Sequence, residues 1–163
     1  MSKMVFHPIE PLYNENSKIL ILGSFPSQKS REQKFFYGHS QNRFWKVLSL
    51  VYKVSEPKTV EEKREFLLSN NIAVWDVIKS CEIVGSSDSS IKNVVPNDLK
   101  IILSNSKVKY IYVNGKTAEK YYNKYLKNKL GITAHCLPST SPANAAWSVE
   151  RLALAWSIIY EIK

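Results

Sequence analysis

Apolar runs that end at turn or polar residues predict the strands of this chain. The first, Lys18–Leu22, carries four consecutive apolar side chains before Gly23. Such a run is typical of a strand covered on both faces. The further predicted strands are Ile72–Val77, Val108–Val113 and Thr133–Leu137. The pattern therefore predicts a sheet of short, buried strands.

Segments with apolar residues at helical spacing separate these strands. The predicted helices are Gln41–Tyr52, Thr59–Asn70, Asn97–Ser106, Lys116–Lys129 and Ala143–Ile162. The first of them places Phe44, Val47 and Leu48 on one face, as a helix packed on a core requires. The second opens with Thr59 and Glu62 at the spacing of a capping box.

The alternation of strands and helices predicts the fold class. Such alternation is typical of a mainly parallel sheet covered by helices on both sides. A chain of 163 residues is long enough for one domain with a sizeable core. We therefore expect an α/β protein, a three-layer α/β/α sandwich around a central four-stranded, mainly parallel sheet, in a single domain of residues 1–163.

Several stretches are predicted to lie outside regular structure. Two prolines argue against a helix in Met1–Asn16, where Val5–His7 is expected to lie against the body of the protein. A polar loop is predicted over Gly23–Ser40. Lys79–Asn93 is predicted to be irregular because it is rich in Ser, Gly and Asp, and loops of this length are usually functional or disordered. Asn114–Gly115 is predicted to form a turn, and the alternative is that these residues line the back of the pocket.

Polar residues leave the carboxyl ends of three predicted strands. Ser24 follows the first strand, Asp76 lies at the end of the second, and Ser139 and Ser141 follow the fourth. Asn42 begins the helix after the first loop. Because the carboxyl ends of parallel strands lie at one edge of a sheet, these residues are expected to share a pocket there.

The charge of the chain favours a polyanionic partner. The sequence holds 23 Lys and Arg against 14 Asp and Glu, a net charge of +9. A basic single domain most often binds nucleic acid. Because the lysines are spread along the chain, a lysine-rich composition without such a meaning explains the charge equally well.

Cysteine content and hydropathy indicate the compartment. Cys81 and Cys136 are too few for a disulfide scaffold, and no Cys-His spacing fits a zinc site. A reduced, cytoplasmic environment is the natural interpretation. No apolar run approaches the length of a membrane span. We therefore expect a soluble protein without membrane contact, and a monomer by default.

Four motifs carry a resemblance to a known family. They are L-G-S-F-P-S at Leu22–Ser27, Y-G-H-S-Q-N-R-F-W at Tyr37–Trp45, W-D-V-I-K-S-C at Trp75–Cys81 and L-P-S-T-S-P-A-N at Leu137–Asn144. In these motifs the chain resembles the uracil-DNA glycosylase superfamily, most specifically its hypoxanthine-acting branch, the DNA-deoxyinosine glycosylases. The second motif is also similar to the mismatch-specific uracil and thymine glycosylases.

The resemblance implies an enzyme of base excision repair that acts on DNA containing deaminated bases. The target nucleotide is flipped out of the stack, a water attacks the sugar C1′, and the free base leaves. The implied enzyme is a single domain that needs no metal or redox cofactor. Removal of hypoxanthine from deoxyinosine is the first reading, and removal of uracil or mismatched bases is the alternative.

Asn42 is the residue to which the resemblance assigns catalysis. In the family the matching Asn orients the attacking water. A side-chain amide can hold a water by its oxygen while its NH2 group donates elsewhere. The alternative is a helix cap, since Asn is a favoured residue at a helix N-terminus.

The resemblance also implies a set of base-binding residues. They are Gly23, Ser24, Phe25, Pro26, Tyr37, His39 and Asp76. Phe25 stands where several branches carry an Asp or Asn that activates the water, so the usual general base is missing. Tyr37 is preferred to Phe36 as a stacking partner, and His39 is a donor to the base or to a phosphate, or else a surface histidine. Asp76 is expected to accept from N1–H of hypoxanthine, or else to cap a strand end.

The resemblance implies DNA contacts in the first and last motifs. The expected DNA-binding residues are Ser27, Ser139, Thr140, Ser141 and Pro142. Leu137 replaces the His that other branches carry there, which removes an electrophile for a uracil carbonyl. Basic residues expected to contribute collectively through phosphate contacts are Lys79, Lys92, Lys116 and Arg151.

Two further function classes compete with this reading. No lysine is obviously presented for Schiff-base attack, so a monofunctional glycosylase without strand cleavage is expected. Because Phe25 and Leu137 replace two catalytic residue types of the superfamily, a non-catalytic DNA-binding module is the alternative from another class. A nucleotide-binding α/β domain is disfavoured, since no G-x-G-x-x-G or P-loop follows the first strand.

Overall fold

A parallel sheet forms the centre of the protein. The computed structural model describes residues 2–161, and its strands are β1 (Lys3–Phe6), β2 (Ile19–Gly23), β3 (Ile72–Asp76), β4 (Ile78–Ile83), β5 (Lys92–Pro96), β6 (Tyr110–Asn114) and β7 (His135–Leu137). Four of them lie side by side in the order β3-β2-β6-β7, and each neighbouring pair is parallel. The predicted central sheet is therefore confirmed.

Helices connect the parallel strands. The α-helices are α1 (Gln28–Gln33), α2 (Phe44–Tyr52), α3 (Val60–Ser69), α4 (Lys100–Leu103), α5 (Lys116–Tyr125), α6 (Lys127–Leu130) and α7 (Val149–Trp156), and 3-10 helices cover Asp88–Ser90 and Ser157–Glu161. The predicted capping box opens α3, where Glu62 N–H donates to the Thr59 hydroxyl and Thr59 N–H donates to the Glu62 carboxylate. Within residues 2–161, no helix has the length and apolar character needed to cross a bilayer.

The core lies on both faces of the central sheet. β2 is buried along its whole length, and its side chains alternate between two apolar clusters. Ile19 and Ile21 join the cluster built with α2, α3 and α7, which includes the fully buried Trp156. Leu20 and Leu22 join the cluster built with α4, α5 and β4. Burial of each such side chain contributes about 1.5–3 kcal/mol, so both faces stabilise the fold.

A second, antiparallel sheet replaces part of the predicted irregular segment. Its order is β1-β4-β5. The prediction of an irregular Lys79–Asn93 is therefore wrong, because β4 spans Ile78–Ile83 and β5 begins at Lys92. Register shifts interrupt the pairing of β4 with β5, so neither strand shows an unbroken alternation of apolar and polar residues. The layer on this face of the central sheet thus combines helices with a small sheet.

The segment before β2 lies against the body of the protein, as expected. Val5 pairs with Cys81 in the antiparallel sheet, and His7 N–H donates to the Lys79 carbonyl over 2.8 Å. Leu12 pairs with Val74 on the outer side of β3. Met1 of this segment lies outside the described residues.

The loop after β2 differs from the prediction in two respects. It contains α1, which Ser27 caps by accepting from Ser30 N–H over 3.2 Å. The helix predicted from Gln41 begins only at Phe44. Asn42 stands before the helix, whose N-cap is Arg43, and its side-chain oxygen accepts from Phe44 N–H two residues on, as in an Asx turn.

Two predicted helices are shorter than expected. Only Lys100–Leu103 is helical within Asn97–Ser106, because the Asn97 side chain donates to backbone carbonyls of the neighbouring strands instead. The last helix begins at Val149, after a Ser148 cap, because the chain before it forms a long loop. The predicted end of that helix, Ile162, lies outside the described residues.

Candidate active site

The carboxyl edge of the parallel sheet opens into a cleft of about 520 Å³. Every residue that the sequence predicts for the site lines this cleft, namely Gly23, Ser24, Phe25, Pro26, Ser27, Tyr37, His39, Asn42, Asp76, Ser139, Thr140, Ser141 and Pro142. Phe36, the weaker stacking candidate, lies in the apolar core instead. A cleft of this size accommodates a nucleobase with its sugar.

The floor of the cleft requires glycine at position 23. Gly23 and Asp76 are register partners at the ends of β2 and β3. A Cβ atom on Gly23 would lie 2.5 Å from Asp76 Oδ1 and 3.2 Å from the Tyr37 hydroxyl. Glycine therefore lets a carboxylate and a phenol approach the same backbone.

A buried histidine orients Asp76. His7 Nε2 lies 2.7 Å from Asp76 Oδ2, and both side chains are at most 5% exposed. Ile9 N–H, which can only donate, lies 3.1 Å from His7 Nδ1. Nδ1 is therefore the acceptor, and Nε2 carries the proton that is donated to Asp76. Asp76 Oδ2 is thus occupied, and Oδ1 is the oxygen on the side of Gly23 and Tyr37.

Tyr37 forms a rigid wall beside that oxygen. Its ring stacks on Phe44 at a centroid distance of 3.8 Å, and its backbone adopts a φ of +52°, which is uncommon for a side chain of this size. Burial and then the nearby Asp76 charge raise the pKa of the Tyr37 phenol far above its ordinary value. Tyr37 therefore stays neutral and is a hydrogen-bonding group, with its hydroxyl 3.3 Å from Asn114 Nδ2.

Asn42 is held by a chain of hydrogen bonds whose directions are determined. Thr140 N–H donates to Asn114 Oδ1 over 3.1 Å, so Asn114 Nδ2 is the donor to the Thr140 hydroxyl at 3.0 Å. That hydroxyl in turn donates to Asn42 Oδ1 over 2.9 Å. Phe44 N–H donates to the same oxygen over 2.9 Å.

This arrangement turns the Asn42 amide the opposite way from the sequence-based expectation. Both lone pairs of Asn42 Oδ1 are engaged by Thr140 and Phe44, so the oxygen is not free to hold a water. Among the described residues, none accepts a hydrogen bond from Asn42 Nδ2. The NH2 group is therefore the end of Asn42 that is available for hydrogen bonding in the cleft.

Thr140 and His39 differ in how they take part in the site. Thr140, expected among the DNA contacts, is fully buried and works within the chain of hydrogen bonds. His39 is exposed at the rim, and its Nδ1 accepts from Gln41 N–H over 3.1 Å. His39 Nε2–H therefore points away from this contact as a donor.

The expected phosphate-contacting residues lie outside this cleft. Lys116 lines an adjoining cleft of about 560 Å³, and its Nζ lies 3.5 Å from Glu119 Oε1. Arg151 is exposed and stacks over Trp147 at 3.8 Å. Lys79 and Lys92 are exposed on the antiparallel sheet.

Most of the sequence matches a known family. The sequence model of the Uracil DNA glycosylase superfamily matches residues 10–163. This chain belongs to the uracil DNA glycosylase superfamily.

Relatives of this superfamily member include two archaeal proteins named hypoxanthine DNA glycosylase. The protein of Methanosarcina acetivorans is 34% identical over 152 residues, which cover 91% of this chain and 94% of the relative. The protein of Methanosarcina barkeri is 32% identical over 136 residues, covering 82% and 85%. The solution NMR structure of a candidate uracil DNA glycosylase from Methanosarcina acetivorans superposes with a TM-score of 0.82 at 30% identity, covering 98% of this chain and 99% of that one.

Arg43 is a residue of this uracil DNA glycosylase superfamily member that the sequence analysis did not single out. Its guanidinium donates to the carbonyls of Ser141 at 2.8 Å and Asn144 at 3.0 Å, and also to that of Trp147. Its backbone N–H donates to the Thr140 carbonyl. Arg43 thus ties the second motif to the last one. The only sequence signal is its place beside Asn42.

The serine-rich loop between β4 and β5, residues 84–91, closes the cleft on the side of the first motif. Gln28 N–H donates to the Ser86 hydroxyl over 2.9 Å, and Arg31 donates to the Gly85 carbonyl over 3.2 Å. Ser24 donates to Asp88 over 3.2 Å. The loop, expected to be functional or disordered, is therefore docked on the first motif. Neither Asp88 nor His7 stands in a pattern that identifies it from sequence.

Proposed function

We propose that this chain is a monofunctional DNA glycosylase that releases hypoxanthine from deoxyinosine in DNA. Both Methanosarcina relatives are named hypoxanthine DNA glycosylases, which supports the substrate. The observation that carries the proposal is the buried Asp76 carboxylate, which His7 holds with Oδ1 on the side of Gly23 and Tyr37.

Asp76 distinguishes hypoxanthine from its parent base. An ionised carboxylate accepts hydrogen bonds and donates none. Hypoxanthine carries a proton on N1, whereas N1 of adenine carries a lone pair. Asp76 Oδ1 therefore accepts from N1–H of hypoxanthine and repels N1 of adenine. A buried acceptor left without a donor costs about 1–3 kcal/mol, which favours the deaminated base.

The chemistry requires few groups. Cleavage of the glycosidic bond develops positive charge on the sugar and negative charge on the base, and preorganised hydrogen bonds stabilise both. The Asn42 NH2 group donates to the oxygen of the attacking water and thereby positions it below C1′. His39 Nε2–H, at the rim, is the donor for the departing base or a phosphate. Within residues 2–161, the cleft lining includes no lysine, which supports a reaction without a Schiff base.

Uracil is the second candidate base, because its N3–H offers the same donor to Asp76. The buried Leu137 at the end of β7, in the place of a His, offers no donor to a uracil carbonyl. The same surroundings therefore favour hypoxanthine over uracil.

A base-release assay tests the proposed function. Matched duplexes carry one deoxyinosine, deoxyuridine, deoxyxanthosine or G·T mismatch, and alkali reveals abasic sites after incubation with the enzyme. We expect cleavage to be fastest at deoxyinosine. Faster cleavage at deoxyuridine contradicts the base assignment, and trapping of a covalent adduct with borohydride contradicts the monofunctional mechanism.

A further inference from the structure

The proton of the attacking water needs an acceptor, and Phe25, Asn42 and Asp76 do not supply one. Phe25 occupies the position of the usual acid in the first motif and has no titratable atom. Asn42 Oδ1 is saturated by Phe44 and Thr140. Asp76 Oδ2 accepts from His7, and Oδ1 is the oxygen that reads the base. None of these three residues is therefore free to act as a general base.

Asp88 brings another carboxylate to the same cleft. It begins the 3-10 helix Asp88–Ser90 and lines the cleft together with Asn42. Its Oδ1 accepts from the Ser24 hydroxyl over 3.2 Å, and the Thr117 side chain lies close to it. Ser24 directly precedes Phe25. Its hydrogen bond to Asp88, which belongs to another element, therefore places this carboxylate next to the position at which the usual acid is missing.

The position of Asp88 is unfavourable for binding DNA. A carboxylate in the cleft of a chain with a net charge of +9 repels the phosphates that the rest of the protein attracts. Within residues 2–161, no Lys, Arg or His forms an ion pair with Asp88. Its charge is therefore not explained by a structural salt bridge.

We propose that Asp88 is the general base of the reaction, an inference that rests on the proposed glycosylase function. The C1′–N9 bond breaks and its electron pair leaves with the base. A water held by the Asn42 NH2 group forms the new C1′–O bond, and its proton passes to the Asp88 carboxylate. The products are an abasic site with a hydroxyl at C1′ and a purine anion, which takes a proton from solvent.

The surroundings of Asp88 suit this role. Asp88 is an exposed residue, but partial shielding of its carboxyl group from water raises its pKa, interactions with Ser24 and Thr117 oppose this, and the Asp76 charge adds to it. The other titratable groups facing it are the Cys81 thiol and the Tyr121 phenol. A raised pKa makes a carboxylate a stronger base, and the rate is lost when pH falls through that value.

Replacement of the carboxylate tests the proposal. Asp88→Asn keeps the size of the side chain and an acceptor for Ser24 but takes no proton. We expect single-turnover release of hypoxanthine to fall about 10²- to 10⁴-fold. Binding of a duplex with 2′-fluoroarabino-deoxyinosine, which resists cleavage, is expected to stay equal or become tighter because a negative charge is removed. Asp98→Asn, which removes an exposed carboxylate outside the cleft, is the matched control and is expected to keep the wild-type rate.

Chemical rescue separates a catalytic role from a structural one. Asp88→Ala leaves room for a small carboxylate, so added formate is expected to restore part of its rate without changing the rate of the wild type. An Asp88→Asn rate within about threefold of wild type, or an Asp88→Ala variant that formate does not rescue, overturns the role of Asp88. A wild-type enzyme that releases no base from any duplex overturns the proposed function as well.

Discussion

At the scale of single residues, the direction of hydrogen bonds decides what each polar group offers to a substrate. Backbone N–H groups can only donate, so Phe44 and Thr140 determine which end of the Asn42 and Asn114 amides is oxygen. Ile9 determines the tautomer of His7 in the same way. The cleft therefore presents a donor at Asn42 and an acceptor at Asp76.

The Asn42 amide can be tested by replacing only its donor end. Asn42→Asp keeps an oxygen for Phe44 N–H and for the Thr140 hydroxyl, so these two hydrogen bonds and the fold are expected to survive. Because the variant lacks the NH2 group, we expect single-turnover release of hypoxanthine to fall at least about 10²-fold, as for a lost transition-state donor. Binding of an uncleavable deoxyinosine duplex is expected to be retained.

Asn42→Ala is the comparison variant for this experiment. It loses both ends of the amide, so it is expected to be as slow as Asn42→Asp and less stable by about 1 kcal/mol or more, because the hydrogen bonds from Phe44 N–H and the Thr140 hydroxyl are lost. Full activity of Asn42→Asp would show that the oxygen, and not the NH2 group, handles the water.

If Asp76 reads the base, the Asp76→Asn variant is expected to shift its preference from hypoxanthine toward adenine. His7 Nε2–H is expected to attract the new amide oxygen, which leaves the NH2 group facing the base. A donor in that place opposes N1–H of hypoxanthine, so we expect the rate at deoxyinosine to fall about 10²-fold or more.

The ratio of rates at deoxyinosine and deoxyadenosine measures that preference directly. We expect Asp76→Asn to lower this ratio by a larger factor than it lowers the rate of cleavage at an easily cleaved control base. An unchanged ratio would remove Asp76 from base reading. The variant His7→Phe, which also releases Asp76 Oδ2, is expected to lower the same ratio.

At the scale of elements, the loops after β2 and β7 are joined by one side chain. Arg43 stands at the N-terminus of α2 and donates to three carbonyls of the loop between β7 and α7. Its planar fork reaches several acceptors at once, which a lysine ammonium does not. The loop before α7 thus depends on Arg43 for its conformation.

Arg43→Lys tests this connection while keeping the charge. Hydrogen bonds to charged groups contribute about 1.5–3 kcal/mol each, so the free energy of unfolding is expected to drop by about 2 kcal/mol or more. Urea unfolding measures the loss, and hydrogen exchange is expected to be faster at the Asn144 and Trp147 amides. Exchange that accelerates evenly over the protein, and not in this loop, would contradict the local role.

Element boundaries show why sequence patterns succeed in one part of the chain and fail in another. The apolar run of β2 and the capping box at Thr59 are local signals, and both were confirmed. β4 and β5 were missed because their pairing is interrupted by register shifts. Helix α4 was predicted too long because Asn97 donates to strand carbonyls that are distant in sequence.

At the scale of the whole molecule, the net charge of +9 is the property that acts on DNA at a distance. The exposed candidates for phosphate contact lie outside the main cleft and at separate places on the surface. Their contribution is therefore expected to be collective and independent of sequence.

Salt dependence measures this collective term. With four phosphate contacts, affinity for an uncleavable duplex is expected to fall roughly 100-fold between 50 and 200 mM salt. Single charge removals such as Lys116→Ala are expected to reduce the slope of log K against log salt by about one unit. A flat salt response would mean that the charge has no part in binding.

The sequence by itself determined the parallel sheet, the superfamily and the cleft residues that belong to the four motifs, because these depend on apolar runs and on motifs that follow strands. Only the tertiary structure decided how the polar groups are used. His7 and Asp76 lie 69 positions apart, and Ser24 and Asp88 lie 64 apart. Contacts over such separations leave no periodic trace in the chain. The direction of the Asn42 amide likewise follows from Thr140, which reaches it only when the last loop folds over the sheet edge.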